Sequence, residues 1–358
     1  MNIALLRKLR EAGGGFVTLG ELGDDPASVR LDLDEIEAFG FAIERHPYRG
    51  AAYLGPSPRL CPDQIEWELG TRRVGRRVAV WNRVTSTNDL AARASASAAN
   101  EGLVILAEEQ TAGRGSRGRA WTAPPGSSIL MSVLLFPPAP LQDPAWLTAM
   151  AAVAVAGVVS EATGRDARIK WPNDVRVDGR KVAGILVERG QGTVIGIGLN
   201  VNLDGDDFPE GLRESATSLR RLLGRPLDRS EVVRDLLRRL DHGFDRSIAH
   251  GPGWLDGAYR RHSEHLGHEV DVATAAGTVG GRLGDLDLRA GLSVGPCRDR
   301  ARLIPIREVL AIVNRPDSTR WTAADFDACG WPPPPGTTSR EPSTPGEGRG
   351  ESGLGPGG

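Results

Sequence analysis

Glu109-Gln-Thr-Ala-Gly-Arg-Gly-Ser-Arg-Gly-Arg-Ala-Trp121 sets glycines at 113, 115 and 118 among arginines at 114, 117 and 119. Glycine lets the backbone take positive φ and brings N–H groups close to an anion. Guanidinium groups add fixed charge and forked donors suited to carboxylate or phosphate oxygens. No GxxxxGK[ST] occurs, so this is not a P-loop. A solvated Arg/Gly loop, or one that touches nucleic acid, would look the same in isolation. A second stretch narrows the choice: Lys170-Trp-Pro-Asn-Asp174, followed by Gly179-Arg-Lys-Val-Ala-Gly184. A lysine closing a strand, a rigid Trp-Pro bend, then Asn and Asp would aim polar groups off a sheet end. Lys181 opens an apolar run, which puts its ammonium at the lip of the core. Taken singly, either lysine could be snorkelling at a strand end and Asp174 could be a turn residue. The set is harder to dismiss.

Only Lys8, Lys170 and Lys181 are lysines, against 41 arginines, and two of the three fall inside this one stretch. An ammonium and a guanidinium are not interchangeable as donors, so the coincidence favours a site. A third motif, Thr85-Ser-Thr-Asn-Asp89, precedes an Ala-rich run. Ser86 with Asp89 matches a capping box, which by itself explains both residues. A helix start of this kind can also present hydroxyls and an amide to a polar ligand.

Outward from these motifs, residues 66–262 alternate strands and helices. Strands are expected at 78–84, 103–107, 129–136, 168–171, 175–177, 182–188 and 193–201. Helices are expected at 87–99, 146–162 and 230–248. The mixed order indicates α+β rather than a doubly wound sheet. Residues 1–58 read as a separate unit of three helices and a strand–turn–strand, the plan of a winged helix-turn-helix, its third helix running from Pro26 to Phe39. Residues 263–313 carry short alternating segments between glycines, which fits a small β-barrel. From Trp331 to Gly358 almost nothing can be buried, and a disordered tail is expected. His262, His265 and His268 stand three apart, but Leu266-Gly267 should end any helix. They are expected to line the junction with the barrel rather than bind metal.

The net charge of −2, from 44 basic and 46 acidic residues, excludes a globally basic nucleic-acid binder. Cys61, Cys297 and Cys329 are too scattered for a disulfide framework. The longest apolar stretch, Leu147 to Val159, is too short to cross a bilayer. A cytoplasmic protein with no membrane partner is expected.

TSTND, EEQTAGRGSRGRAW, KWPND, GRKVAGILVE and GIGLNVN, in this order, resemble bacterial biotin–protein ligases, including those that also repress the biotin operon. The resemblance covers roughly residues 1–313. It implies a class II synthetase-like catalytic domain between an N-terminal winged helix and a C-terminal SH3-like barrel. It further implies ATP, biotin and Mg²⁺, and a biotin–[acetyl-CoA-carboxylase] ligase reaction. Biotinyl-5′-AMP forms first, and biotin then passes to a lysine of a biotin carboxyl carrier domain. The resemblance assigns catalysis to Lys181, Arg114 and Lys170. It assigns biotin to Ser86, Thr87, Asn88, Gln110, Arg114, Gly115, Ser116 and Lys181. The nucleotide falls to Arg117, Arg119, Trp121, Asn173 and Asn200, and the metal to Asp174. Homodimerisation stays open.

Two departures stand out. The family loop commonly reads GRGRxGR, whereas residue 116 is serine, so one charged donor is missing from the lid. The barrel ends LIPIREVLAIV, so its contacts to ATP do not transfer residue by residue. The competing functions are a biotin operon repressor with biotinyl-AMP as corepressor, and a lipoate–protein ligase. The loop ending SRGRAW and the terminal barrel disfavour the latter. Residues 1–56 hold six basic and nine acidic residues, a net of −3, and the third helix pits Arg30 against Asp32, Asp34, Glu35 and Glu37. Such a helix would be repelled by phosphates, so DNA binding is not expected.

Overall fold

The computed structural model describes residues 1–251 and 253–336. The chain opens with α1 (Ile3–Glu11), α2 (Leu19–Leu22) and α3 (Pro26–Phe39), then the antiparallel pair β1 (Ala42–His46) and β2 (Gly50–Gly55). Asp25 caps α3 by accepting from the amides of Ala27 and Ser28. Val29, Leu33 and Ile36, spaced for one helix face, are buried with Leu5, Leu6 and Leu9 in a core of their own.

After α4 (Pro62–Glu66) come β3 (Arg77–Val84), α5 (Thr87–Ala94), β4 (Leu103–Gln110), β5 (Ser128–Leu135) and α6 (Pro144–Thr163). Next are β6 (Arg168–Lys170), β7 (Asp174–Val177), β8 (Arg180–Arg189) and β9 (Thr193–Asn200). Three helices follow: α7 (Leu219–Leu223), α8 (Arg229–His250) and α9 (Trp254–His262). The seven strands form one sheet in the order β3-β4-β5-β9-β8-β7-β6, with β3 and β4 parallel and every other pair antiparallel. α6 is long and apolar enough by length and composition to cross a membrane. Trp146, Leu147, Met150, Val155 and Val159 are instead buried in the main core, with α8 packed alongside.

The C-terminal strands are β10 (Glu269–Thr274), β11 (Gly277–Asp287), β12 (Gly291–Val294), β13 (Arg302–Pro305) and β14 (Ala311–Asn314), followed by α10 (Ala323–Ala328). They make a five-stranded antiparallel sheet ordered β13-β12-β11-β10-β14.

Three expectations need correction. α5 ends at Ala94, not 99, because Ser95 Oγ donates to Ala92 and Asn100 Nδ2 donates to the Ala94 carbonyl. The Ser86–Asp89 capping box does not form: Ser86 makes no side-chain cap, and Asp89 accepts from Arg114 instead. The tail expected from residue 331 does not begin there. Trp331 is buried, and the carbonyls of Pro332 and Pro335 accept from Arg260 and Arg261. Residues 337–358 of that expected tail lie outside the described residues.

Candidate active site

The carboxyl end of β4, at Gln110, and the start of α5 enclose one end of a cleft that runs across β8 and β9. Ser86, Thr87 and Asn88 are buried there with Ser132. Thr87 donates from its amide and its hydroxyl to Gln110 Oε1, at 2.7 and 3.0 Å. Ser132 Oγ lies 2.6 Å from Asn88 Oδ1, and Asn88 Nδ2 donates to Glu188 at 2.6 Å. Ser86, Thr87, Asn88, Gln110 and Ser132 thus make a wall of neutral hydroxyls and amides with mixed donor and acceptor capacity, and the Glu188 carboxylate bonds Asn88.

The sheet forms the floor. Gly184 on β8 and Gly198 on β9 leave a flat seat on which the Trp121 indole rests. A Cβ at residue 198 would lie 2.4 Å from the ring. Only glycine permits that approach. Lys181 Nζ sits 5.4 Å from the Trp121 ring centroid and 2.6 Å from Asp174 Oδ1. β7 and β8 pair antiparallel with Asp174 opposite Gly184 and Lys181 opposite Arg176, so the long Lys181 side chain reaches along the sheet to meet Asp174. The Lys181 backbone also pairs with Ser215 and Thr217, so the strand start is fixed on both sides.

The Arg/Gly loop forms the open wall. Arg114 and Ala120 make an isolated antiparallel bridge, and Gly113 accepts from the Trp121 amide. Arg114 donates to Asp89 at 2.7 Å and to Glu188 at 3.2 Å. The hydrogen bond to Asp89 is the main reason its pKa lies above the ordinary value. Arg117 stands at positive φ and donates to the carbonyl of Leu310, the residue before β14. Arg119 donates to Ser116 Oγ at 3.2 Å.

Two further compartments open from this centre. One is lined by Ser116, Trp121, Lys181, Asn200, Phe208 and Leu212, and is mostly apolar. The other is a groove bounded by Arg117, Arg119, Lys170, Asp174, Ile312 and Val313. Lys170 closes β6 and faces this groove. Burial, then the nearby Arg176, pull its pKa below the ordinary lysine value.

Every site residue expected from the sequence borders the cleft or these two compartments. Asn173 and Asn200 differ in what their amides do. Asn173 Nδ2 donates to Ile185 and Asn200 Nδ2 to Thr217, so both nitrogens already fix the surrounding backbone. A ligand would meet their oxygens and the second N–H of each amide. The sequence reading missed Glu188, Ser132, Phe208, Leu212 and the edge strand β14. Glu188 ends the GRKVAGILVE run, but its partners Asn88 and Arg114 are 100 and 74 residues away, and the others belong to no motif. Among the described residues no three His, Cys, Asp or Glu side chains are grouped closely enough to hold a metal. Asp174 could therefore supply one carboxylate to a cation held mainly by a ligand's own oxygens.

Comparison with known proteins agrees with this geometry. Residues 80–204 match the model of the biotin/lipoate A/B protein ligase family. The bifunctional ligase/repressor BirA of Bacillus spizizenii is 31% identical over 293 residues, spanning 79% of this chain and 90% of that protein. The biotin–[acetyl-CoA-carboxylase] ligase of Mycobacterium tuberculosis is 36% identical over 230 residues, 61% of this chain and 85% of the other. Among solved structures, the biotin protein ligase of Aquifex aeolicus in complex with biotin and ATP aligns with a TM-score of 0.59 at 26% identity. The alignment covers 67% of this chain and all of that one. The chain belongs to the biotin–protein ligases of the biotin/lipoate A/B protein ligase family.

Proposed function

We propose that this chain activates biotin with ATP and transfers it to a lysine of a biotin carboxyl carrier domain. One observation carries the reading: a neutral polar compartment, an apolar aromatic one and a cationic groove share their central residues. Ser116 borders all three, while Trp121 and Lys181 border the first two. An uncharged urea-type ring suits Ser86, Thr87, Asn88 and Gln110. Adenine suits Trp121 and Phe208, and the phosphates suit Lys170, Arg117 and Arg119.

Activation requires a carboxylate oxygen to attack the α-phosphorus of ATP and expel pyrophosphate. The reactants repel each other, so fixed cations at the junction supply most of the help. Lys181, at that junction, lowers the repulsion and bonds the carboxylate. Arg114 can join it by exchanging an acid for the ligand. Asp89 and Glu188 are partly exposed, at 35% and 39%, so breaking those pairs costs little. In the second step the carrier amine attacks the anhydride carbonyl and AMP departs. Asp174 would hold Mg²⁺ together with the phosphates, and the ion would supply charge neutralisation there.

The N-terminal unit is read as a winged helix without operator affinity and the C-terminal sheet as an SH3-like barrel. The class II synthetase-like assignment of the catalytic unit and a cytoplasmic location go with the same reading. The test is ATP-dependent incorporation of labelled biotin into a purified carrier domain, with lipoate as competitor. Incorporation that lipoate leaves unchanged is expected. No incorporation, or lipoate in place of biotin, would overturn the reading.

A further inference from the structure

Residues 263–268 join α9 to β10 and run beside β6. Ser263 bridges Ile169 in parallel, and the Glu264 amide donates to the Ile169 carbonyl at 2.9 Å. Ser263 Oγ accepts from the amides of His265 and Leu266. This pairing lays His265, 2% exposed, against the turn that follows β6. Its Nε2 lies 3.1 Å from the Trp171 amide and its Nδ1 lies 2.6 Å from Asn314 Oδ1, at the end of β14. A backbone amide can only donate, so Nε2 must offer its lone pair. Burial pushes the imidazole down to about 4, leaving it neutral, and the single ring proton sits on Nδ1. Asn314 Oδ1 then accepts, and Nδ2 donates to the Glu264 carbonyl at 3.2 Å. One tautomer satisfies the whole chain of bonds. At the other end of the same segment, the Leu310 carbonyl takes Arg117.

We infer that His265 is a positioning residue for adenylate formation: through the Trp171 amide it fixes the Lys170–Asp174 turn against β14 and so sets the cationic end of the groove. The inference rests on the ligase reading above. It concerns the nucleotide, because the turn His265 holds brings Lys170 and Asp174 to the cationic groove, while Ser86, Thr87, Asn88 and Gln110 stand on other elements.

Two substitutions separate the two bonds. Gln can place its Oε1 where Nε2 stands and keep the Trp171 amide, whereas Asn can place a nitrogen where Nδ1 stands and keep only Asn314. The measurement is biotin-dependent exchange of labelled pyrophosphate into ATP by the full chain, with folding followed by circular dichroism. His265→Asn should raise KM for ATP about tenfold while KM for biotin stays within about twofold. His265→Gln should recover most of the loss. Asn314→Ala, which removes the Nδ1 partner and leaves the buried imidazole in place, should raise KM for ATP about threefold and serves if His265→Asn does not fold. The inference is overturned if folded variants keep the wild-type KM for ATP, if Gln recovers no more than Asn, or if both KM values rise together. Absence of exchange in the wild type would instead strike the ligase reading.

Discussion

Two regions of this chain have the shape to meet phosphates, and they carry opposite charge. Helix α3 of the N-terminal unit has Arg30 among four carboxylates. Those acids are matched within the unit: Arg45 takes Asp34 at 2.8 Å and also takes Glu37, Asn2 takes Asp32, and the N-terminal amine takes Glu35. The cleft gathers Lys170, Lys181, Arg114, Arg117 and Arg119. Lys181, Arg114, Arg117 and Arg119 are paired too, but with acids, a hydroxyl and a carbonyl that a ligand can displace or join. Spent charge alone therefore does not distinguish structure from site. What distinguishes them is the sign left over when the partners are exchanged for an incoming anion.

The sharpest way to break this contrast is Lys181→Ala. Losing one preorganised donor at the developing charge should slow biotinyl-adenylate formation by about a hundredfold or more, on the order of 3 kcal/mol. Single-turnover adenylation at a near wild-type rate would remove Lys181 from the centre of the contrast.

Lys170 gives the next largest effect. Its folded pKa lies below 10.5, so its charge is complete at low pH and is lost as pH rises through that lowered value. KM for ATP should therefore begin to climb at a lower pH than an ordinary lysine would dictate. The rise should reach several-fold, about three to ten, near the top of the range. Lys170→Arg should keep the profile flat; parallel profiles for the two proteins would show that this charge does not meet the nucleotide.

Ser116 sharpens the comparison on a smaller scale. Its hydroxyl accepts from Arg119 and adds no charge to the lid. Ser116→Arg should slow the escape of labelled biotinyl-adenylate, without carrier, by about threefold. Unchanged or faster escape from the variant would reject the idea.

The smallest effect is expected at the other pole. Upstream DNA of biotin genes should show no ligand-dependent footprint at physiological salt, and removal of residues 1–56 should leave ligase activity within about twofold. A cut after residue 58 is less innocent than the sequence implies. Arg229, 2% exposed, donates to the Pro58 carbonyl and to Glu108, whose other oxygen takes the Leu60 amide at 2.7 Å.

The sequence motifs located the cleft because the chemistry is carried by short runs: TSTND at a helix start, the Arg/Gly loop, KWPND and GRK. Strand spans were legible where apolar runs were continuous, as in β5 and β9. The failures have physical causes at a distance. β11 is one strand although glycines at 277, 280, 281 and 284 break its pattern, with an irregularity between Leu283 and Asp285. Gly284 is needed there because a Cβ would lie 2.4 Å from the Trp331 indole, a partner from the end of the described chain. The same remoteness hid the partners of Glu188, the place of Phe208 and the His265–Asn314 link. Asp89 looked like a helix cap because its true partner, Arg114, is 25 residues away.

Trp121 lies flat on a glycine floor, its Nε1 buried without a protein acceptor and an ammonium 5.4 Å from its ring. Of the eight tryptophans, Trp121 lines the cleft and its apolar compartment and Trp171 the cationic groove. The emission of Trp121 is thus an optical gauge wired into the reaction centre. The difference spectrum between wild type and Trp121→Phe would isolate that signal, allowing filling of the cleft to be timed without a label.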